Sequence, residues 1–269
     1  MTPQPTCKPD SRRGFIPPRN EEEQFLFKRF QELAQQARQK NIPRYSGFLS
    51  DREQDLARAA MNKAGWEEYG FQGGYFQAER QVLCIEPADS WQEQPVAGLV
   101  IRPGRGSQKQ PQHKDYLGSL LGLGLERECI GDIVPALDGS YAIVFVLEDK
   151  ADFIKDQLCQ VGSVSVSLDD WDPDGPEKLE LPQRTIKTAS LSSLRTDAFL
   201  AAAMNTSRSN AAEFIRSGRV EINHIPVDRP HEEIFPGDVF TVRGKGRFRL
   251  ESIGGKSRKD RIFVEYFQY

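Results

Sequence analysis

The chain has no apolar run long enough to cross a bilayer and no apolar N-terminal core of the kind a secretory signal requires. A cytoplasmic protein with no membrane partner is therefore expected. Its four cysteines, Cys7, Cys84, Cys129 and Cys159, are widely scattered and form no Cys-x-x-Cys pair. That spacing indicates neither a zinc site nor a disulfide framework and leaves reduced thiols. The turn Asp169-Asp170-Trp171-Asp172-Pro173-Asp174-Gly175 alternates carboxylates with a glycine but lacks the spacing and terminal glutamate of a calcium loop. No metal is expected. Phosphate-binding glycines follow a strand and open a helix, whereas Gly122 and Gly124 close a helix ahead of a strand. No cofactor is expected either.

What is present is a globular composition, 38% hydrophobic and 28% charged over 269 residues. A prior of ~150 residues per domain divides that length into about two or three domains. The net charge of −3 conceals an asymmetry: residues 184–269 hold 15 Lys plus Arg against 10 Asp plus Glu, and the remainder holds 21 against 29. A basic C-terminal third on an acidic body points to a polyanion held by the C-terminal part.

Residues 1–20 carry several prolines and almost no large apolar side chains, which predicts a flexible arm with Arg12, Arg13 and Arg19 as its cations. A helical N-terminal region is expected over 21–78. Its first helix starts at Glu21 with acidic residues in its first turn, shows Phe25, Leu26, Phe30, Leu33 and Ala37 along one side, and ends before Pro43. The capping box Ser50-Asp51-Arg52-Glu53 starts a second helix that Gly65 ends. Trp66, Tyr69, Phe71, Tyr75 and Phe76 then cluster around Gly70, Gly73 and Gly74. They form either a platform for bases or a plug between the helical region and the next domain.

A middle domain is expected over 79–168. After a lead-in strand at 82–86 come a strand at 96–101, a helix at 114–123, strands at 130–134 and 141–147, a helix at 149–159 and a strand at 164–168. The order β-α-β-β-α-β is the ferredoxin-like arrangement shared with RRM domains. An RRM stacks bases on exposed aromatics of its central strands, whereas Tyr141-Ala142-Ile143-Val144-Phe145-Val146 is nearly all aliphatic. A scaffold or protein interface is the alternative. Arg102, Arg105, Lys109, His113, Lys114 and Arg127 are candidates for a phosphate-contacting edge, although a solvated loop accounts equally for Arg105 and Lys109. His113-Lys114-Asp115-Tyr116 holds acid and base groups, but a histidine ahead of a helix more often serves as a cap or a surface residue. The acidic stretch 169–183 reads as a linker.

In the C-terminal domain, 184–269, Phe199, Leu200 and Ala203 recur at helical spacing, and Ala211, Phe214 and Ile215 do so again. Ser207 stands at the second helix's N-cap and Gly218 at its C′ position. This helical hairpin displays Arg195, Arg208, Arg216 and Arg219, guanidinium groups suited to phosphate. Lys187 precedes it on an extended segment. Gly244-Lys245-Gly246-Arg247 projects Lys245 and Arg247 from a hairpin tip, and 254–259 is a second basic turn. Leu194-Arg195-Thr196-Asp197, Ser207-Arg208-Ser209, Ile215-Arg216-Ser217-Gly218-Arg219-Val220, Ile222-Asn223 and Gly237-Asp238 closely resemble the S4 RNA-binding domain. The resemblance implies an αL-motif fold laying the basic edge of two helices on structured RNA, with Arg195, Thr196, Ser207, Arg208, Arg219 and Asn223 as contacts. Thr196 stands where that family often has leucine, and Pro226 where a basic residue is common.

Tyr45-Ser46-Gly47-Phe48-Leu49-Ser50, Phe71-Gln72-Gly73-Gly74-Tyr75, His113-Lys114-Asp115-Tyr116-Leu117-Gly118 and Gly131-Asp132-Ile133 resemble the YlmH-like family, which includes the photosystem II S4-domain proteins. The match extends over nearly the whole chain beyond the arm. It implies an α+β, non-catalytic, ribosome-associated protein whose partners are rRNA, tRNA and the large ribosomal subunit, with no DNA partner. Better-known bacterial members handle stalled large subunits bearing peptidyl-tRNA; cell division and photosystem assembly are also attached to the family. The expected RNA contacts are thus Lys187, Arg195, Thr196, Ser207, Arg208, Arg216, Arg219, Asn223, Lys245 and Arg247, with no catalytic residue. The rival class is an S4-guided pseudouridine synthase or methyltransferase. A synthase needs a catalytic aspartate in its own large domain, and the obvious Arg-x-Asp, Arg195-Thr196-Asp197, belongs to the hairpin.

Overall fold

The computed structural model describes residues 18, 20–87, 94–104, 110–181, 185–257 and 260–269. The expected arm lies outside the described residues except for Pro18 and Asn20, as do Arg105, Lys109, Arg184, Arg258 and Lys259. The chain forms two units, Met1–Leu181 and Pro182–Tyr269, each with its own apolar core.

In the first unit, helix α1 (Glu21–Lys40) begins where the Asn20 side chain accepts from the Glu23 N–H at 2.8 Å, and Glu21, Glu22 and Glu23 lie at the positive end of its dipole. Asn41, left-handed at φ 50°, ends it. Phe27, Phe30, Ala34 and Ala37 are buried at helical spacing. Phe25, expected on that side, is 68% exposed, because two residues from Phe27 is about 200° around the helix. Strand β1 (Arg44–Leu49) leads to α2 (Asp51–Ala64), where the Ser50 capping box forms in both directions.

Strands β2 (Tyr69–Gln72) and β3 (Gln81–Ile85) complete a small antiparallel sheet in the order β1-β3-β2. Strand β3, expected to lead into the middle domain, is instead the central strand of this sheet. Alternation explains its position: Leu83 and Ile85 pack into the core of α1 and α2, while Val82 and Cys84 face the opposite way.

Next come β4 (Val96–Pro103), α3 (His113–Gly122), a 3₁₀ turn (Arg127–Cys129), β5 (Ile130–Pro135), β6 (Ala142–Leu147), α4 (Glu148–Gln157), β7 (Gln160–Val161) and β8 (Val164–Asp170). Their antiparallel sheet runs β5-β6-β4-β8-β7, the ferredoxin-like interleaving with short β7 added. Ala142, Val144 and Val146 of β6 pack with Tyr116 and Leu120 of α3 and with Ala151 and Ile154 of α4. Ile143 and Phe145 face the other way, with Val100, Phe48, Val82 and Cys84. The strand is apolar throughout because both of its faces are covered. The face on which an RRM stacks bases lies against β1 and β3.

In the second unit, β9 (Lys187–Leu191) precedes α5 (Thr196–Ala203) and α6 (Arg208–Arg216), followed by β10 (Val220–Ile222), β11 (Ile225–Pro226), β12 (Val239–Val242), β13 (Gly246–Lys256) and β14 (Ile262–Gln268). Six strands form one sheet, ordered β11-β10-β12-β13-β14-β9. Phe199, Leu200, Ala211 and Ile215 bring both helices onto its inner face, against Phe240, Phe248, Leu250, Val264 and Tyr266. Phe199 sits 4.5 Å from Phe240 and edge-on to Tyr266 at 5.6 Å between ring centroids.

Candidate nucleic-acid interface

Ser207 starts α6 by accepting from the Asn210 N–H at 3.1 Å, so its hydroxyl serves as a cap. The helix spans about 12 Å from Arg208 to Arg216 at 1.5 Å per residue, and each end carries a different cationic group.

At its N-terminal end the centre is Asp197, 5% exposed. Its carboxylate accepts from Arg208 Nε at 3.0 Å and Nη2 at 3.1 Å and from Arg195 Nη2 at 3.1 Å. Arg208 also reaches the hydroxyls of Ser192 and Ser193, both at 3.3 Å. The two guanidinium side chains stay about 40% exposed while one buried carboxylate fixes their planes. This group carries one net positive charge.

At the C-terminal end, Gly218 (φ 67°) returns the chain into β10, and the turn between β12 and β13 lies alongside. The Arg243 N–H donates to the Arg219 carbonyl at 2.9 Å, and Arg219 Nη2 donates back to the Arg243 carbonyl at 3.1 Å. The Arg219 guanidinium stands 4.2 Å over the Phe214 ring, and the Lys245 ammonium lies 6.0 Å from the same centroid. Gly244 and Gly246, at φ 78° and 108°, permit the turn that presents Lys245. Arg216, Arg219, Arg243 and Lys245 are exposed, and among the described residues none of them has a carboxylate partner.

The remaining expected contacts are dispersed or internal. Thr196 is fully buried and its hydroxyl donates to the Glu232 carbonyl at 3.0 Å, which removes its side chain from any surface. Asn223 and His224, at φ 48° and 64°, make the two-residue turn between β10 and β11. Both ends of the Asn223 amide are used, donating to buried Asp238 at 2.9 Å and accepting from the Val239 N–H at 2.8 Å. Arg247 alternates with inward-facing Phe248, so it lies on the sheet face opposite the helices, 4.7 Å over Tyr269. Lys187 is exposed on edge strand β9, paired with Tyr266 toward the same end of the sheet as Lys245. Arg243 was not among the expected contacts, although the run Arg243-Gly244-Lys245-Gly246-Arg247 signals it. Phe214 reads in sequence as one more apolar helix residue, yet it supports the cations.

Residues 194–240 match the S4 domain model, and residues 108–174 match the model described as "Putative RNA-binding domain in YlmH". The chain is 33% identical over 223 residues to the ribosome-associated protein quality control protein P2 of Bacillus subtilis strain 168, a match covering 81% of this chain and 84% of that protein. The chain belongs to the YlmH-like family. A solved structure of the cell division protein YlmH from Streptococcus pneumoniae is also similar, at TM-score 0.48 and 18% identity, covering 60% of this chain and 97% of that one.

The motifs that mark a YlmH-like chain outside the S4 unit hold the first unit together. Asp132 accepts from the Tyr75 hydroxyl at 2.8 Å and from the N–H groups of Glu79 and Arg80 at 2.7 and 3.1 Å. A Cβ on Gly131 would stand 2.5 Å from the Phe48 ring, and one on Gly74 2.2 Å from Phe145. Trp66, Tyr69 and Phe71 pack on the helical core and Tyr75 stacks on Phe145 at 4.9 Å, which is the plug; Phe76 remains 75% exposed.

Of the expected basic edge, Arg105 and Lys109 lie outside the described residues, and the described members Arg102 and Arg127 are engaged internally. Arg102 pairs with Asp169 and Glu177, and Arg127 donates to the carbonyls of Ile130 and Gly131. Asp115 accepts from the Gln112 N–H at 2.9 Å, so it caps α3, and burial pushes the Tyr116 hydroxyl up to about 12. His113 and Lys114 are exposed at the start of that helix. Among the described residues, no helix is long and apolar enough to cross a membrane.

Proposed function

We propose that this chain is a non-catalytic, cytoplasmic RNA-binding protein that holds structured RNA, rRNA or tRNA on the large ribosomal subunit, through the helical side of its S4 unit. The supporting observation is that Arg219 and Lys245 gather on Phe214, with Arg243 joined to Arg219 through its backbone and Arg216 exposed on the last turn of α6, and that among the described residues none of the four has a carboxylate partner. Unpaired cations release counterions on meeting phosphate, whereas ion-paired ones first lose their own partner. Arg195 and Arg208, pre-oriented on Asp197, form a second, weaker contact about 12 Å away along α6. Lys187 extends the surface, Arg247 lies on the opposite face of the sheet over Tyr269, and Thr196, Ser207 and Asn223 shape the unit from within. The ribosome enters through the Bacillus subtilis relative, whose name places that protein there.

The enzyme alternative has little support in the residues. A pseudouridine synthase needs an accessible aspartate, and Asp197 is buried under two guanidinium groups. Crosslinking the full chain to RNA in cells and sequencing what is bound tests the reading. Recovery of large-subunit rRNA and tRNA supports it; modified nucleosides that depend on this protein overturn it in favour of the enzyme.

A further inference from the structure

The YlmH-type module, residues 108–174, holds five Lys plus Arg against 13 Asp plus Glu. Its described cations are mostly engaged. Lys150 pairs with Asp149 at 2.8 Å, Lys155 lies between Asp152 at 2.9 Å and Asp170 at 2.8 Å, and Arg127 faces carbonyl oxygens. Its sheet offers no stacking surface, since Ile143 and Phe145, with Val100 of the neighbouring strand β4, are at most 1% exposed. RNA is held by neutralising phosphates or by stacking bases, and this module is poorly equipped for either.

What it exposes is the outer face of α4. Phe153 is 44% exposed there, while Asp149 and Asp152 are 68% and 94% exposed and Asp156 is exposed as well. Asp149 lies four residues before Phe153 and Asp156 three after, so both flank the ring on the helix surface. Lys150 and Lys155 pair with Asp149, Asp152 and Asp170, but two cations among these three carboxylates and Asp156 leave an excess of negative charge around the ring. A half-exposed aromatic in such a setting is complementary to a polypeptide bearing lysine or arginine beside aliphatic side chains.

We propose that the outer face of α4 docks a basic polypeptide of a partner protein, and that the middle module of this chain takes protein rather than RNA. The proposal rests on the reading that RNA is held by the C-terminal unit. The test measures two probes separately on the full chain: a labelled peptide of alternating lysine and leucine, and labelled tRNA. Asp149→Asn, Asp152→Asn and Asp156→Asn together weaken the peptide about tenfold, Phe153→Ser weakens it too, and neither changes tRNA affinity. The charge-matched control Glu21→Gln, Glu22→Gln and Asp174→Asn leaves the peptide affinity in place.

Equal loss in the control, or no loss in the α4 variants with folding intact by thermal melting, overturns the docking face. So does a large loss of tRNA affinity in His113→Ala plus Lys114→Ala, which would make the module an RNA surface. If tRNA binding instead survives Arg216→Ala, Arg219→Ala and Lys245→Ala unchanged, the C-terminal RNA reading fails while the peptide result still stands to be read.

Discussion

Replacing Arg216, Arg219 and Lys245 together with alanine should flatten the salt dependence of RNA binding. Each phosphate contact contributes about 0.7 to 0.9 to the slope of log affinity against log salt. Arg219 and Lys245 lean on one ring, Phe214, so they meet either one phosphate or two neighbours. The triple variant therefore loses about two to three contacts and a slope of roughly 1.5 to 2.5. All three side chains are exposed, and removing them should cost the fold no more than about 1 kcal/mol. The assay is tRNA affinity measured across a series of potassium chloride concentrations for wild type and variant, with melting curves alongside. An unchanged slope in a folded variant would refute the assignment of this end of α6 to phosphate.

Three further outcomes follow from the geometry. Asp197→Asn removes the charge that holds Arg195 and Arg208 and should cost about 1–2 kcal/mol, the low end for charged hydrogen bonds because both guanidinium groups reach water; an unshifted melting temperature would show that the buried carboxylate is idle. Gly74→Ala places a Cβ 2.2 Å from the Phe145 ring at a residue with φ 89°, and should destabilise the first unit by about 2–4 kcal/mol in denaturant melts. The Tyr116 hydroxyl, pushed up to about 12 by burial, keeps its proton in the folded state while the unfolded chain, near pH 10, loses it. Its contribution is whole below pH 10 and falls by up to about 2–3 kcal/mol as pH rises to 12; alkaline unfolding of Tyr116→Phe should lack that component.

Signals confined to neighbouring residues were legible in the sequence. The Ser50–Glu53 box, the Ser207 cap, the Gly218 terminus and the continuous apolar run of Ala142–Val146 each act within a few positions, and each element formed where they placed it. The ferredoxin-like order and the helical hairpin follow from those signals strung together. Phe25 is a local failure: the consecutive large residues Phe25-Leu26-Phe27 near the start of α1 leave the helix phase ambiguous, and packing against α2 and β3 chose Phe27.

By itself the sequence determined the helices, the order of the middle-domain strands, the acidic body and the basic C-terminal third, because propensity, capping and charge are carried by short stretches of chain. The sheet β1-β3-β2, two of whose strands lie inside the expected helical region, came from pairing between distant segments. Only the tertiary structure decided which cations are available to an anion. Arg208 meets a carboxylate 11 positions away and Arg102 one 75 positions away, while Arg219 and Arg243, 24 apart, meet each other's backbone and no acid. It also decided that β3 covers the sheet face an RRM would offer to RNA. A guanidinium has the same charge in either setting; whether phosphate finds it free depends on long-range partners that folding brings within 3 Å.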